Sequence, residues 1–180
     1  MEWIHIDSFR LLILVLLAFL VFLYFYLKKI GSRHYKNVRK ADKVLRKLND
    51  PKSTFHDAQK MNYLKKIDPF VFEELLLTSF QNRGYKIKRN KRYTGDGGID
   101  GVIFNDKGDK ILVQAKRYAN HINPMHVSEF KDLVTRLNAA GGYFIHTGKT
   151  GKKSYQSAAV NIHILSGKRL IEFISTSKVS

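Results

Sequence analysis

The stretch Ile99-Asp100-Gly101-Val102-Ile103-Phe104-Asn105-Asp106-Lys107-Gly108-Asp109-Lys110-Ile111-Leu112-Val113-Gln114-Ala115-Lys116 reads as two strands, 99–105 and 109–116, joined by Asp106-Lys107-Gly108. A three-residue hairpin loop ending in Gly suits a type I turn followed by a left-handed position, which pairs Asn105 with Asp109. Carried back along both strands, this register sets Asp100 opposite Gln114, with Lys116 two residues further along the same face. Ile99, Ile103, Ile111, Val113 and Ala115 fall on the other face. One face is thus apolar, and one end of the opposite face carries a carboxylate, an amide oxygen and an ammonium.

That trio suits phosphodiester hydrolysis. A carboxylate and a neighbouring oxygen can hold Mg2+, and a lysine beside them can orient the nucleophile and stabilise developing charge. Glycines 95, 97, 98 and 101 would let a phosphate backbone approach the preceding loop. Taken alone, a D…QxK pattern also fits a solvated hairpin with ordinary polar residues.

Upstream, Phe70 to Gly84 reads as a helix, with Pro69 at its start and Gly84 near its end. Its apolar stripe includes Phe72, Leu76, Leu77 and Phe80. Glu73 shares that face at i+3, i+4 and i+7, whereas Glu74 aligns with Thr78 and Gln81, so Glu73 is expected inward and Glu74 outward. A carboxylate on an apolar face is costly unless paired or metal-bound, which makes Glu73 a candidate site residue, unless it only borders a broad stripe. A short strand at Tyr85–Arg89 and a loop over 90–98 lead into the hairpin. Downstream, the pattern predicts a helix at His126–Ala140, a buried strand at Tyr143–His146, a helix at Ser154–Val160, a strand at Ile162–Leu165 and a last helix at Lys168–Ile174. Alternating helices and strands argue for an α/β fold.

Several chemistries are excluded. The chain has no cysteine, which removes disulfide scaffolds, Cys-ligated zinc and thiol catalysis. Gly148-Lys149-Thr150 resembles the end of a P-loop, but Tyr143 stands where the first glycine is required. The seven histidines show no HExxH spacing.

Phe72-Glu73, Gly84-Tyr85, the run Thr94-Gly95-Asp96-Gly97-Gly98-Ile99-Asp100-Gly101, Val113-Gln114-Ala115-Lys116-Arg117-Tyr118 and Thr147-Gly148 occur in an order and spacing that resembles the Mrr-like restriction endonuclease domain, a branch of the PD-(D/E)xK nucleases. The resemblance covers roughly Asp68 to Ile174. It implies an α/β, restriction-endonuclease-like core, a mixed central sheet flanked by helices, and Mg2+-dependent DNA cleavage, with Mn2+ able to substitute. By the same resemblance Asp100 is the metal-binding acid, Gln114 the metal-site position that is more often Glu or Asp in the wider superfamily, Lys116 the catalytic lysine, and Glu73 the helix acid that joins the metal site. Gln114 removes one negative charge from that site. His146 stands where family members often have Thr, and no role is assigned to it.

The N-terminal third is a different physical object. Leu11 to Leu27 (LLILVLLAFLVFLYFYL) has no charge, Gly or Pro and covers roughly 26 Å as a helix, enough with its flanks for a bilayer core. It lacks the small-residue cleavage pattern of a signal peptide. Of the net charge of +17, residues 1–27 carry −1, residues 28–67 carry +10 and residues 68–180 carry +8. Lys28, Lys29, Arg33, Lys36, Arg39 and Lys40 crowd the C-terminal flank of the apolar run, which places the bulk of the chain on the cytoplasmic side of a bacterial membrane. Trp3, Tyr24 and Tyr26 suit the headgroup level. The expected organisation is a short non-cytoplasmic N-terminus (1–8), a single transmembrane helix (9–27), a basic juxtamembrane connector (28–67) and a nuclease domain (68–176). Within the connector, Val38, Ala41, Val44, Leu45 and Leu48 recur at helical spacing among lysines and arginines. This basic amphipathic helix is expected against anionic lipid, with a DNA-backbone contact as the alternative.

The leading expectation is a membrane-anchored, type IV-like DNA endonuclease, with Lys116, Arg117, Lys149, Lys152 and Lys153 as DNA contacts. A nuclease-fold module that binds DNA without cutting it, and a lipid-surface scaffold, are the competing readings. The resemblance implies that target specificity resides in a separate domain, for which no room is expected after the anchor and connector, so either cutting has little sequence preference or recognition comes from a partner. Homodimerisation is left open.

Overall fold

The computed structural model describes residues 8–90 and 98–175. Glu2, Trp3 and Asp7, and Thr94, Gly95, Asp96 and Gly97 of the expected phosphate-approach loop, lie outside the described residues. The elements in chain order are α1 (Ser8–Leu48), α2 (Asp57–Lys66), α3 (Pro69–Gln81), β1 (Lys86–Arg89), β2 (Gly101–Phe104), β3 (Lys110–Lys116), α4 (Pro124–Arg136), β4 (Gly141–His146), α5 (Lys152–Ser157), β5 (Ile162–Leu165) and α6 (Gly167–Ser175).

Five strands form one mixed sheet in the order β1-β2-β3-β4-β5, antiparallel from β1 to β3 and parallel from β3 to β5. The hairpin has the expected register: Gly101 faces Val113, Val102 faces Leu112 and Ile103 faces Ile111. Gly108 adopts φ +83°, the left-handed position the turn requires, and its N–H donates to Asn105 O at 2.9 Å. The Asn105 side chain tightens the loop by accepting from Lys107 N (3.0 Å) and Asp109 N (2.9 Å).

Both faces of the sheet are covered. On one, Ile103 and Val113 join Phe72, Leu76, Leu77 and Phe80 of α3, Leu64 of α2, Leu170, Ile171 and Ile174 of α6, and Ala41, Val44, Leu45 and Leu48 of α1 in one buried cluster. On the other, Leu112, Phe144, Ile162 and Ile164 pack with Val127, Phe130, Leu133 and Val134 of α4. Ile99 departs from the expected alternation: it precedes β2 rather than lying in it, and packs with Val102 and Leu112 on the α4 side.

The chain divides into two compact units, Met1–Lys36 and Asn37–Ser180. In the first, the apolar residues from Phe9 to Leu27 are exposed, and the helix is long and apolar enough to cross a membrane. In the second, the amphipathic stretch 37–48 differs from the connector expected by sequence. Its stripe is buried in the protein core, with Ala41 fully covered and Leu45 and Leu48 each 1% exposed, so lipid is not what covers it. Helical periodicity shows that one face is covered but not by what. Asn49 closes the same contact by donating from Nδ2 to Ile174 O at 3.1 Å. Helix α2, between this stretch and α3, carries only Leu64 as a buried residue and so has no stripe to read.

Candidate active site

The site forms where β3 ends, at the carboxyl edge of the parallel strands. Asp100 stands one residue before β2 and is tied to β3 twice: its N–H donates to Val113 O at 2.9 Å, and its Oδ2 accepts from Ala115 N at 2.6 Å. The carboxylate is therefore held at the β3 backbone, at the residue between Gln114 and Lys116 in sequence. Gln114 is buried, and its Nε2 donates to Gly98 O. Gly98 has φ +90°, a conformation that favours glycine, and a Cβ there would fall 2.9 Å from Gln114 Nε2 and displace that amide. Lys116 is half-buried at the last position of β3, beside His146 of β4.

Glu73, on α3, lies within electrostatic reach of Asp100. Asp68 caps that helix through its Oδ1, which accepts from Phe70 N (2.9 Å) and Val71 N (3.3 Å), and Pro69 occupies the first turn. Burial pushes the Glu73 carboxyl up to about 8, helped next by the negative charge of Asp100 and then by Glu74 and Asp68. A second negative charge beside Asp100 in this poorly solvated place would be unbalanced, so Glu73 keeps its proton near neutral pH.

Glu74 corrects the expected outward placement. Its side chain is 3% exposed and accepts from Arg89 Nε at 2.8 Å, while Arg89 Nη2 donates to Thr78 Oγ1 at 3.0 Å and to Gln81 Oε1 at 3.3 Å. The alignment of Glu74 with Thr78 and Gln81 is present, but Arg89 of β1 covers that face. Glu73, by contrast, is only half-buried.

Gln114 and Lys116 line a cleft of about 580 Å3 together with Gly98, Phe130, Leu133, Glu129, Asp132 and Arg136. The last three come from one face of α4 and were not singled out by sequence; their i, i+3, i+7 spacing was the available signal. His146 is fully buried beneath this edge, and burial pulls it down to about 4, so it is neutral. Its Nδ1 accepts from Gly148 N (3.1 Å), which leaves the proton on Nε2 for Thr150 Oγ1 (3.0 Å), and Thr150 in turn meets Ser166 Oγ (2.7 Å). His146 thus fixes the loop after β4.

That loop carries Lys149, which is exposed and joined to the chain after β3 by Lys149 N to Asn120 O (3.0 Å) and Ile122 N to Lys149 O (3.1 Å). Lys152 and Lys153 are exposed in the first turn of α5. Arg117 is directed elsewhere: its Nη1 donates to Lys65 O and Ile67 O at the end of α2. The structure therefore sets Gln114 and Lys116 on one cleft wall, ties Asp100 to the β3 backbone between them in sequence, brings Glu73 within electrostatic reach of Asp100, puts Lys149 on the loop after β4, and turns Arg117 to α2.

Residues 64–174 match the family model of the Mrr catalytic domain, described as restriction endonuclease. Over 146 residues the chain is 30% identical to the type IV methyl-directed restriction enzyme EcoKMrr of Escherichia coli (strain K12), covering 77% of this chain and 47% of that enzyme. The chain thus spans about half the length of that relative. Among solved structures, MspJI restriction endonuclease in complex with a 27-mer oligonucleotide aligns with a TM-score of 0.49 at 22% identity, over 69% of this chain and 32% of that one. Restriction endonuclease FokI aligns with a TM-score of 0.46 at 14% identity, over 71% of this chain and 28% of that one.

Proposed function

The chain belongs to the restriction endonuclease family of Mrr catalytic domains, and on that premise we propose that it is a membrane-anchored endodeoxyribonuclease that hydrolyses DNA phosphodiester bonds with Mg2+, or with Mn2+ in its place. The observation that supports this reading is Asp100 tied to the backbone of β3 at Ala115, between the cleft residues Gln114 and Lys116 in sequence, with the Glu73 carboxyl raised to about 8 by burial and by the charge of Asp100.

The residues fit a hard divalent cation. Among the described residues no three His, Asp or Glu side chains converge, so the protein's share would be the Asp100 and Glu73 carboxylates and the Gln114 amide oxygen. Bound there, the cation supplies charge neutralisation at the phosphate and a more acidic water. The Ala115 N–H holds the Asp100 carboxylate in place before any cation arrives. Glu73, which holds a proton near neutral pH, would have to lose it to serve as a ligand. Lys116, on the cleft wall, orients the attacking water and offsets negative charge that builds on the phosphate oxygens. Lys149, Lys152 and Lys153 meet the DNA backbone outside the cleft, which positions the duplex without reading its sequence.

The apolar helix over 9–27 anchors the chain, and the basic residues that follow keep the nuclease on the cytoplasmic side near anionic lipid. Either cutting has little sequence preference, or a separate recognition partner supplies target choice, including any preference for modified DNA. The test is nicking of supercoiled plasmid by the 180-residue chain in detergent, with Mg2+, Mn2+ or EDTA, beside Lys116→Ala. Metal-dependent nicking lost in the variant supports the enzyme. DNA binding without nicking under any metal would favour a module that binds and does not cut, as the neutral Gln114 allows.

A further inference from the structure

Arg117 directly follows Lys116, yet its guanidinium is engaged with a different helix. Nη1 donates to Lys65 O at 3.1 Å and to Ile67 O at 2.5 Å, the carbonyls at the end of α2, and Lys65 Nζ returns a bond to Ala119 O at 3.2 Å. Helix C-terminal carbonyls lack intrahelical partners and carry the negative end of the helix dipole, so a cation is favoured there. The next residue, Asp68, is the N-cap of α3, and Glu73 lies in the second turn of that helix. The three bonds therefore strap the strand that carries Gln114 and Lys116 to the joint from which the Glu73 helix starts.

We propose that Arg117 is a positioning residue of the nuclease site, fixing the Lys116 ammonium on β3 relative to the Glu73 carboxylate on α3, rather than a contact to DNA phosphate. The inference rests on the proposed nuclease reading. Both bonds leave one nitrogen, Nη1, whose two hydrogens the planar guanidinium holds at fixed angles, whereas a phosphate contact needs chiefly a positive charge, which lysine also supplies. The strap makes residues before Asp68 part of the catalytic apparatus: α2 holds Arg117, and Tyr63 of α2 lies under Lys47 Nζ at 4.7 Å from its ring centroid.

The test compares Arg117→Lys, Arg117→Gln and Lys65→Ala with the wild-type 180-residue chain in detergent. Plasmid nicking with Mg2+ gives kcat and KM, and a gel shift in EDTA over a salt series gives Kd. A positioning role predicts that both Arg117 variants lower kcat by about tenfold or more while Kd and its salt dependence stay unchanged, and that Lys65→Ala shifts kcat in the same direction by less. If Arg117→Lys cuts like wild type, or if the variants raise Kd and lower the salt slope by about one phosphate with kcat intact, Arg117 is a phosphate contact and the proposal falls. Should the Arg117 variants not fold, Lys65→Ala decides: an unchanged kcat overturns the strap. A wild-type chain inert with every metal sinks the nuclease reading and this proposal together, whereas an active wild type with the opposite variant pattern sinks only the proposal.

Discussion

Glu73 and Glu74 are neighbours on α3, and the protein treats the two charges in opposite ways. Glu74 is buried and matched: Arg89 donates to it at 2.8 Å, and Thr78 and Gln81 satisfy the rest of that guanidinium. Glu73 is half-buried and mismatched, with Asp100 nearby and its carboxyl raised to about 8. A matched buried charge serves the scaffold, because its desolvation is compensated within the fold. A mismatched one marks the place where an external cation completes the balance.

This contrast can be broken at either residue. Glu73→Gln should lower metal-dependent cleavage by roughly a hundredfold or more while the metal-free fold survives, as read by nicking rates and thermal melting. Glu74→Gln should do the reverse, destabilising the chain by about 3 kcal/mol because Arg89 loses its charge partner, with cleavage per folded molecule little changed. Equal effects of both substitutions on activity would erase the distinction. Leu45→Ala, in the stretch 37–48, should cost roughly 2–3 kcal/mol in denaturant unfolding if that helix belongs to the nuclease core, and close to nothing if it serves only a lipid surface.

The same contrast predicts a pH dependence. Glu73 binds its proton more tightly folded (about 8) than unfolded (4.5), so the unfolded chain holds fewer protons between these values and metal-free stability falls as pH rises through them. His146 is displaced the other way, from 6.5 to about 4, so its contribution is lost as pH falls from 6.5 to 4. The two oppose each other between pH 4.5 and 6.5, which leaves a net fall in melting temperature from pH 6.5 to about 8. Glu73→Gln should flatten that limb, and Mn2+ binding at pH 7 should release close to one proton in wild type and none in the variant. The smallest effect belongs to the hairpin: Gly108→Ala, at φ +83°, should cost about 1 kcal/mol without touching activity.

The hairpin was legible because local rules determine it. One glycine in a three-residue loop sets the register, and the register places Asp100, Gln114 and Lys116. Elements that depend on distant partners were not legible in the same way. The stripe of 37–48 announced a covered face, but its cover includes Leu170, Ile171 and Ile174, more than a hundred residues away in sequence. Glu74 looked outward because Arg89, on another element, supplies its environment. Arg117 read as a DNA contact from charge alone, and only the packing of α2 against the end of β3 reveals its carbonyl partners.

The most direct test of the site is Asp100→Ala, measured beside wild type for both Mg2+-dependent plasmid nicking and DNA affinity. Asp100 is held by the Ala115 N–H and adds to burial in raising Glu73, so its removal should abolish nicking, leave DNA affinity intact and lower the Glu73 pKa part of the way toward its ordinary value. An Asp100→Ala chain that nicks plasmid at the wild-type rate would contradict the account.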